Sequence, residues 1–177
     1  MTRSTATRRR TIVVSAAAAA LLVAAGCTST ASAGGSATPA EIATYAGTQT
    51  AFGQSFTYAN GLVVEVKKPA AFAPSAYADG VEGSEGEPVR VRVNIINGTS
   101  GEFVPDTVGV VVVSGGEEAV QILDPGTGVD LTGPAQPLDR SGVVAFDLAF
   151  VVLDPQDVTL TLTPSLIGYD PLVFTTA

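Results

Sequence analysis

The most reactive side chain that this sequence offers is a single thiol, Cys27, in a chain of 177 residues with no histidine and no tryptophan. A lone cysteine closes no disulfide within the chain, and without histidine there is neither a Cys/His metal cluster nor a serine–histidine relay. Gly-x-Ser-x-Gly and Ser-x-x-Lys are both missing from the sequence, and no glycine-rich phosphate loop leads from a strand into a helix. Carboxylates are the chemistry left. Asp79-Gly80-Val81-Glu82-Gly83-Ser84-Glu85-Gly86-Glu87 could offer oxygen ligands to calcium, but its spacing departs from the calcium-loop template, and glycine with acid is the usual composition of a solvated loop. The expectation is a mobile loop between strands, with no metal, no cofactor and no catalytic residue. Asp124, Asp154 and Asp170 each precede proline, where a carboxylate commonly starts a turn.

The surroundings of Cys27 decide its chemistry. Arg8-Arg9-Arg10 makes a cationic start, Thr11 to Ala25 is a run of small and apolar residues, and Ala24-Ala25-Gly26 leads into the cysteine. This is the layout of a secretory leader, and about fifteen apolar residues fall short of the roughly twenty that span a bilayer as a helix. The end of the run resembles the bacterial lipobox, in which the thiol is diacylglycerylated and the chain is cut so that cysteine becomes its first residue. Ala24 stands where that pattern prefers leucine. Residues 1–26 are then a lipoprotein-type signal peptide and Cys27 is the lipidation site, its palmitate-type chains holding the protein to the extracytoplasmic face of the cell membrane. The competing reading, an ordinary signal-peptidase cut beside an unmodified cysteine, leaves the placement of this one thiol without a cause. Arg9-Arg10-Thr11-Ile12-Val13 also resembles the twin-arginine export pattern, while clustered arginines serve the general route equally well, so both routes stay open. Residues 27–50 follow as acylated cysteine and linker, since Thr28 to Ala37 holds only Thr, Ser, Ala and Gly. Within them Thr38-Pro39-Ala40-Glu41 reads as a brief helix start.

Charge divides the chain at the same place. All seventeen acids lie after Cys27, against five cations there, Lys67, Lys68, Arg90, Arg92 and Arg140, which gives that part a formal charge of −12. Such a surface repels phosphate backbones, so direct nucleic-acid binding is excluded, and it favours a soluble monomer.

From residue 51 to 177 apolar residues recur at every second place, the period of strands. Phe56 and Tyr58 precede Asn60-Gly61, a tight hairpin signal, and Leu62, Val64 and Val66 follow on one face. Val89, Val91, Val93 and Ile95 alternate with Arg90, Arg92 and Asn94, and Asn97-Gly98 ends that strand. Val108 to Val113 reads as a strand covered on both faces, and Ser114-Gly115-Gly116-Glu117 as a turn into Ala119 to Leu123. Val144, Phe146, Leu148, Phe150 and Val152 form a one-sided stripe, with Asp147 on the second face, expected to be partly exposed or to pair with Arg140, Arg90 or Arg92. Val158, Leu160 and Leu162 alternate with threonines, and Leu172-Val173-Phe174 is expected as an edge strand. About seven short strands with turns between them predict an all-β, antiparallel two-sheet sandwich.

The series from Gly53 to Phe174, with Asn60-Gly61, Val91-Arg92-Val93-Asn94-Ile95-Ile96-Asn97 and Ser141-Gly142-Val143-Val144-Ala145-Phe146, resembles a family of uncharacterised immunoglobulin-like domains of exported bacterial lipoproteins. The domain group includes mycobacterial immunoprotective extracellular antigens. The resemblance implies an immunoglobulin-like sandwich outside the cytoplasm, frequently in actinobacteria, and transfers no catalytic residue. The leading expectation is a non-catalytic module that contacts an envelope protein or a small ligand. A structural or antigenic surface protein with no dedicated ligand, and a hydrolase working through carboxylates, are the alternatives.

Overall fold

The computed structural model describes residues 42–176. The leader, Cys27 and the Thr38-Pro39-Ala40-Glu41 helix start lie outside the described residues. Eleven strands run in the order β1 (Gln49–Ala51), β2 (Ser55–Thr57), β3 (Leu62–Val66), β4 (Ala70–Ala71), β5 (Glu87–Asn97), β6 (Gly109–Ser114), β7 (Glu117–Glu118), β8 (Val120–Ile122), β9 (Val143–Val152), β10 (Val158–Thr163) and β11 (Leu172–Thr175). They form two sheets, a five-stranded one ordered β1-β11-β10-β6-β7 and a six-stranded one ordered β2-β3-β5-β9-β8, with β4 also on β5. The all-β sandwich expected from periodicity is the fold, and the strands beyond the seven expected are two- and three-residue pieces.

The long pair β5–β9 holds the six-stranded sheet, antiparallel from Glu87↔Val152 to Ile96↔Val143. Alternation turns Val89, Val91, Val93 and Ile95 inward, beside Leu148, Phe150 and Val152 of β9 and Leu62, Val64 and Val66 of β3. The other sheet answers with Val112, Val158, Leu160, Leu162, Leu172 and Phe174, all buried. Each such side chain taken out of water contributes about 1.5–3 kcal/mol, and this one apolar interior is what joins the sheets.

Several local expectations change. Val108 to Val113 is covered on one face only: Val112 is buried, but Val111 and Val113 are 47% and 36% exposed, because β6 has the other sheet on a single side. The β9 stripe is the reverse case, since Ala149 and Val151 on its second face are buried as well. They pack with Ile122 and Val129 under Phe72, Ala78 and Val81, so the long connection from β4 to β5 lies across the sheet. The acidic stretch 79–87 is therefore partly tied down: Asp79 exchanges backbone hydrogen bonds of 2.9 and 3.1 Å with Leu123. Leu172-Val173-Phe174 is not an edge, because β1 pairs with it in parallel from Gln49↔Val173 to Ala51↔Thr175. Gln49, Thr50 and, through its bridge to Tyr169, Tyr45 thus belong to the sheet and not to the linker.

The three proline-preceding aspartates separate. Asp154 Oδ1 accepts the N–H of Gln156 at 2.8 Å, the expected turn. Asp170 lies in extended chain: its N–H donates to Tyr45 and its carbonyl accepts the buried Tyr58 hydroxyl at 2.8 Å. Asp124 starts a 3-10 turn through its carbonyl, while its buried carboxylate accepts both the N–H and the hydroxyl of Ser75, each at 2.7 Å. Those bonds, the Ser75 N–H first, hold its carboxyl below the usual carboxylate range.

The Asn60-Gly61 hairpin is wider than a two-residue turn. The Tyr58 N–H donates to Leu62 and the Gly61 N–H to Tyr58, and of the pair only Gly61 has a positive φ, +96°. A side chain there would meet the Gly98 carbonyl oxygen at 2.5 Å. Gly61→Ala should therefore cost about 1–3 kcal/mol in chemical denaturation, and a variant as stable as the parent would refute the close approach. Asp124→Asn should lower stability at neutral pH. Because the folded value is depressed, the parent has this contribution in full above the ordinary aspartate value of 3.8 and loses it as pH falls through the lowered one. Melting curves from neutral pH to pH about 2 should thus converge for parent and variant at the acid end.

Candidate functional site

Arg90 and Arg92 stand two places apart on β5, so both side chains leave the same face of the sheet, the one turned away from the core. β9 sets Asp147 opposite Arg92 in the register. Its carboxylate accepts Arg92 Nε at Oδ1 over 2.9 Å and Nη2 at Oδ2 over 3.0 Å, and Arg90 Nη1 lies 3.8 Å from the same Oδ2. Of the three arginines open to Asp147 in the sequence, these two meet it.

On the other flank of β5, the chain leaves β3 with the Lys67 N–H donating to the Arg92 carbonyl at 2.9 Å, and pairing resumes in β4 with Ala70 opposite Arg90. Lys67 and Lys68 are thereby set beside the two arginines. Together with Ala70 and Asp147 these four cations line a cleft of about 220 Å³. It collects four of the five cations that follow Cys27 in the sequence.

The carboxylates within reach do not balance them. Lys67 Nζ binds Glu65, which also accepts Asn94 Nδ2 at 2.9 Å, and the Lys67 bond first and the Asn94 bond second draw the Glu65 carboxyl below its usual range. Asp147, by hydrogen bond first and by charge, holds the Arg92 guanidinium protonated even more firmly than usual. Arg90 lies over the Phe72 ring, 5.7 Å from its centroid, a position that braces the guanidinium on an apolar support. Lys68 makes no ion pair among the described residues. Four cations against Glu65 and Asp147 leave a surplus of two positive charges. The arrangement offers braced donors and positive charge, which is equipment for holding an anion.

A second cleft, about 260 Å³, gathers Glu85, Glu117 and Glu118 beside Ser84 and Ser114. Glu117 and Glu118 are successive residues of one strand, so their side chains leave opposite faces and do not pair over a common substrate. Among the described residues no three acids converge as a metal site requires, the loop 79–87 included. Lys67 and Lys68 were not legible as members of the site. Arg90-x-Arg92 announces an outward pair, but the strand that flanks β5 on that side is decided by pairing far along the chain.

No family model matches the chain, and no curated protein matches it. Three solved structures share the fold. The yjhA protein from Bacillus subtilis has a TM-score of 0.55 at 13% identity, over 71% of this chain and 97% of its own. MPT63, a secreted protein from Mycobacterium tuberculosis, has 0.50 at 12%, over 72% and 95%. The ycdA lipoprotein from Bacillus subtilis has 0.50 at 13%, over 68% of this chain but 37% of its own. At such identities the likeness is one of fold, a β-sandwich that recurs in secreted and lipoprotein chains.

The bond from Lys67 gives the site a measurable signature. In Lys67→Met the Glu65 carboxyl should titrate higher than in the parent, toward the ordinary 4.5, when followed by carbon-13 NMR. An unmoved midpoint would show that Lys67 does not engage it.

Proposed function

We propose that the chain is an exported lipoprotein, held to the extracytoplasmic face of the cell membrane through Cys27, whose sandwich is a non-catalytic binding module. The observation that carries this is the position of the only cysteine, directly after Ala24-Ala25-Gly26 at the end of an arginine-led apolar run. Two acyl chains would anchor it, since each buried methylene adds about 0.8 kcal/mol and one chain alone is marginal. The sharing of this fold with a secreted protein and with a lipoprotein agrees with that address. Agreement with a binding role comes from the titratable groups. Among the described residues the groups displaced from their ordinary values are Tyr58 and Asp124, far from the cationic cleft, and Glu65 and Arg92 beside it, and burial or a structural bond accounts for each. The two beside the cleft are an ionised carboxylate and a firmly protonated guanidinium, groups that hold charge and do not exchange a proton near neutral pH.

Fractionation tests the anchor. The parent chain should remain with the membranes and the Cys27→Ala variant should move to the medium. A variant that stays in the membrane fraction would overturn the assignment of Cys27.

A further inference from the structure

We infer that the cleft between Lys67, Lys68, Arg90 and Arg92 is a binding site for a phosphomonoester ligand. This deepens the binding role proposed above and rests on it. In a part of the chain with a formal charge of −12, four of five cations stand around one cleft of about 220 Å³. Scattered evenly they would lower self-repulsion; gathered, they repel one another unless an anion lies between them. Asp147, only 11% exposed, meets part of that need from below, gripping Arg92 by both oxygens and drawing Arg90 to 3.8 Å. Arg90 and Arg92 themselves remain 45% and 57% exposed, and Lys67 52%, so their donors face the solvent side. The two-charge surplus matches a phosphomonoester dianion, and guanidinium forks suit its oxygens.

The acidity of the surface limits the size of the ligand: beyond the cleft a long polyanion would meet a part of the chain whose formal charge is −12, whereas a single phosphate meets only the four cations, Glu65 and Asp147. Membrane phosphatidylglycerol, a phosphodiester with a single charge, would leave part of the positive surplus of the cleft unmet.

Calorimetric titration of the full chain, solubilised in a non-ionic detergent, tests the site with glycerol 3-phosphate, a poly(glycerol phosphate), polyglutamate and micelles of the same detergent doped with phosphatidylglycerol. Glycerol 3-phosphate should bind saturably, more weakly as salt rises. Lys68→Glu with Arg90→Gln should raise its dissociation constant at least about tenfold, the size expected for losing charge-assisted hydrogen bonds, with an unchanged circular dichroism spectrum and a cooperative melting curve. Lys68→Glu alone, which breaks no ion pair or hydrogen bond among the described residues, should act in the same direction. No saturable binding of glycerol 3-phosphate, equal binding of polyglutamate, binding to poly(glycerol phosphate) or to the phosphatidylglycerol micelles alone, or undiminished binding by the folded variants would each overturn the site. The outcome is independent of the anchor, because it is read on solubilised protein, whereas fractionation of Cys27→Ala reads the anchor alone.

Discussion

The antiparallel ladder of β5 and β9 commits two surfaces at once. With a side-chain period of two, the register that sends Val89, Val91, Val93 and Ile95 into the core sends Arg90 and Arg92 out, and sets Arg92 against Asp147. A slip of one residue would bury the arginines and expose the valines. The cationic cleft thus inherits its geometry from the hydrophobic core: the same rungs that exclude water on one face fix the spacing of charge on the other. β3 and β4, which bring Lys67 and Lys68, are placed by pairing with that same β5.

Without a disulfide, the sheets are joined by apolar contact and by polar stitches at the two ends. At one end Tyr58 crosses from the β2–β3 hairpin to the Asp170 carbonyl, with its ring edge-on to Tyr169 at 5.0 Å, and Asn60 donates to the Tyr169 hydroxyl at 2.6 Å. Burial first pushes the Tyr58 hydroxyl well above the usual tyrosine value, so it stays a donor. At the other end Ser114 Oγ donates to the Asp154 carbonyl and accepts the Asp154 N–H, each at 2.9 Å. Buried Asn97 closes the loops beyond β5, its Nδ2 donating to the carbonyls of Gly101 and Leu138. These bonds are worth about 0.5–1.5 kcal/mol apiece, so they align the sheets while apolar burial holds them.

The segment from Glu117 to Ile122 shows how the sandwich is closed at its side. β7 pairs with β6 in one sheet, the Ala119 N–H still reaches Val112 at 2.8 Å, and β8 then pairs with β9 in the other sheet. The crossing puts Ile122 beneath the loop from β4 to β5, and the apolar cluster it makes with Val129, Ala149 and Val151 covers the sheet on the side of the face next to the cations. Phe72, packed on that cluster, is also the ring that supports Arg90. The long loop therefore serves the site even though no residue of its acidic stretch enters the cleft.

Alternation was legible from the amino acids alone, because the period of a strand is a local property: the sandwich, the inward rows of β3, β5 and β10, the turns at Asn60-Gly61 and Gly115-Gly116, and the outward arginines all follow from neighbours in the chain. Cys27 and its flanking residues are likewise a linear signal. What covers a strand on its second face is not local. Val111 and Val151 are the same residue type in similarly apolar runs, yet one faces solvent and the other lies under a loop that began about eighty residues earlier. Pairing partners are equally remote, so the parallel β1 on β11, the choice of Arg92 for Asp147, and the meeting of Lys67 and Lys68 with Arg90 and Arg92 were decided only when the sheets assembled, since register and edge position are set by contacts between segments far apart in the chain.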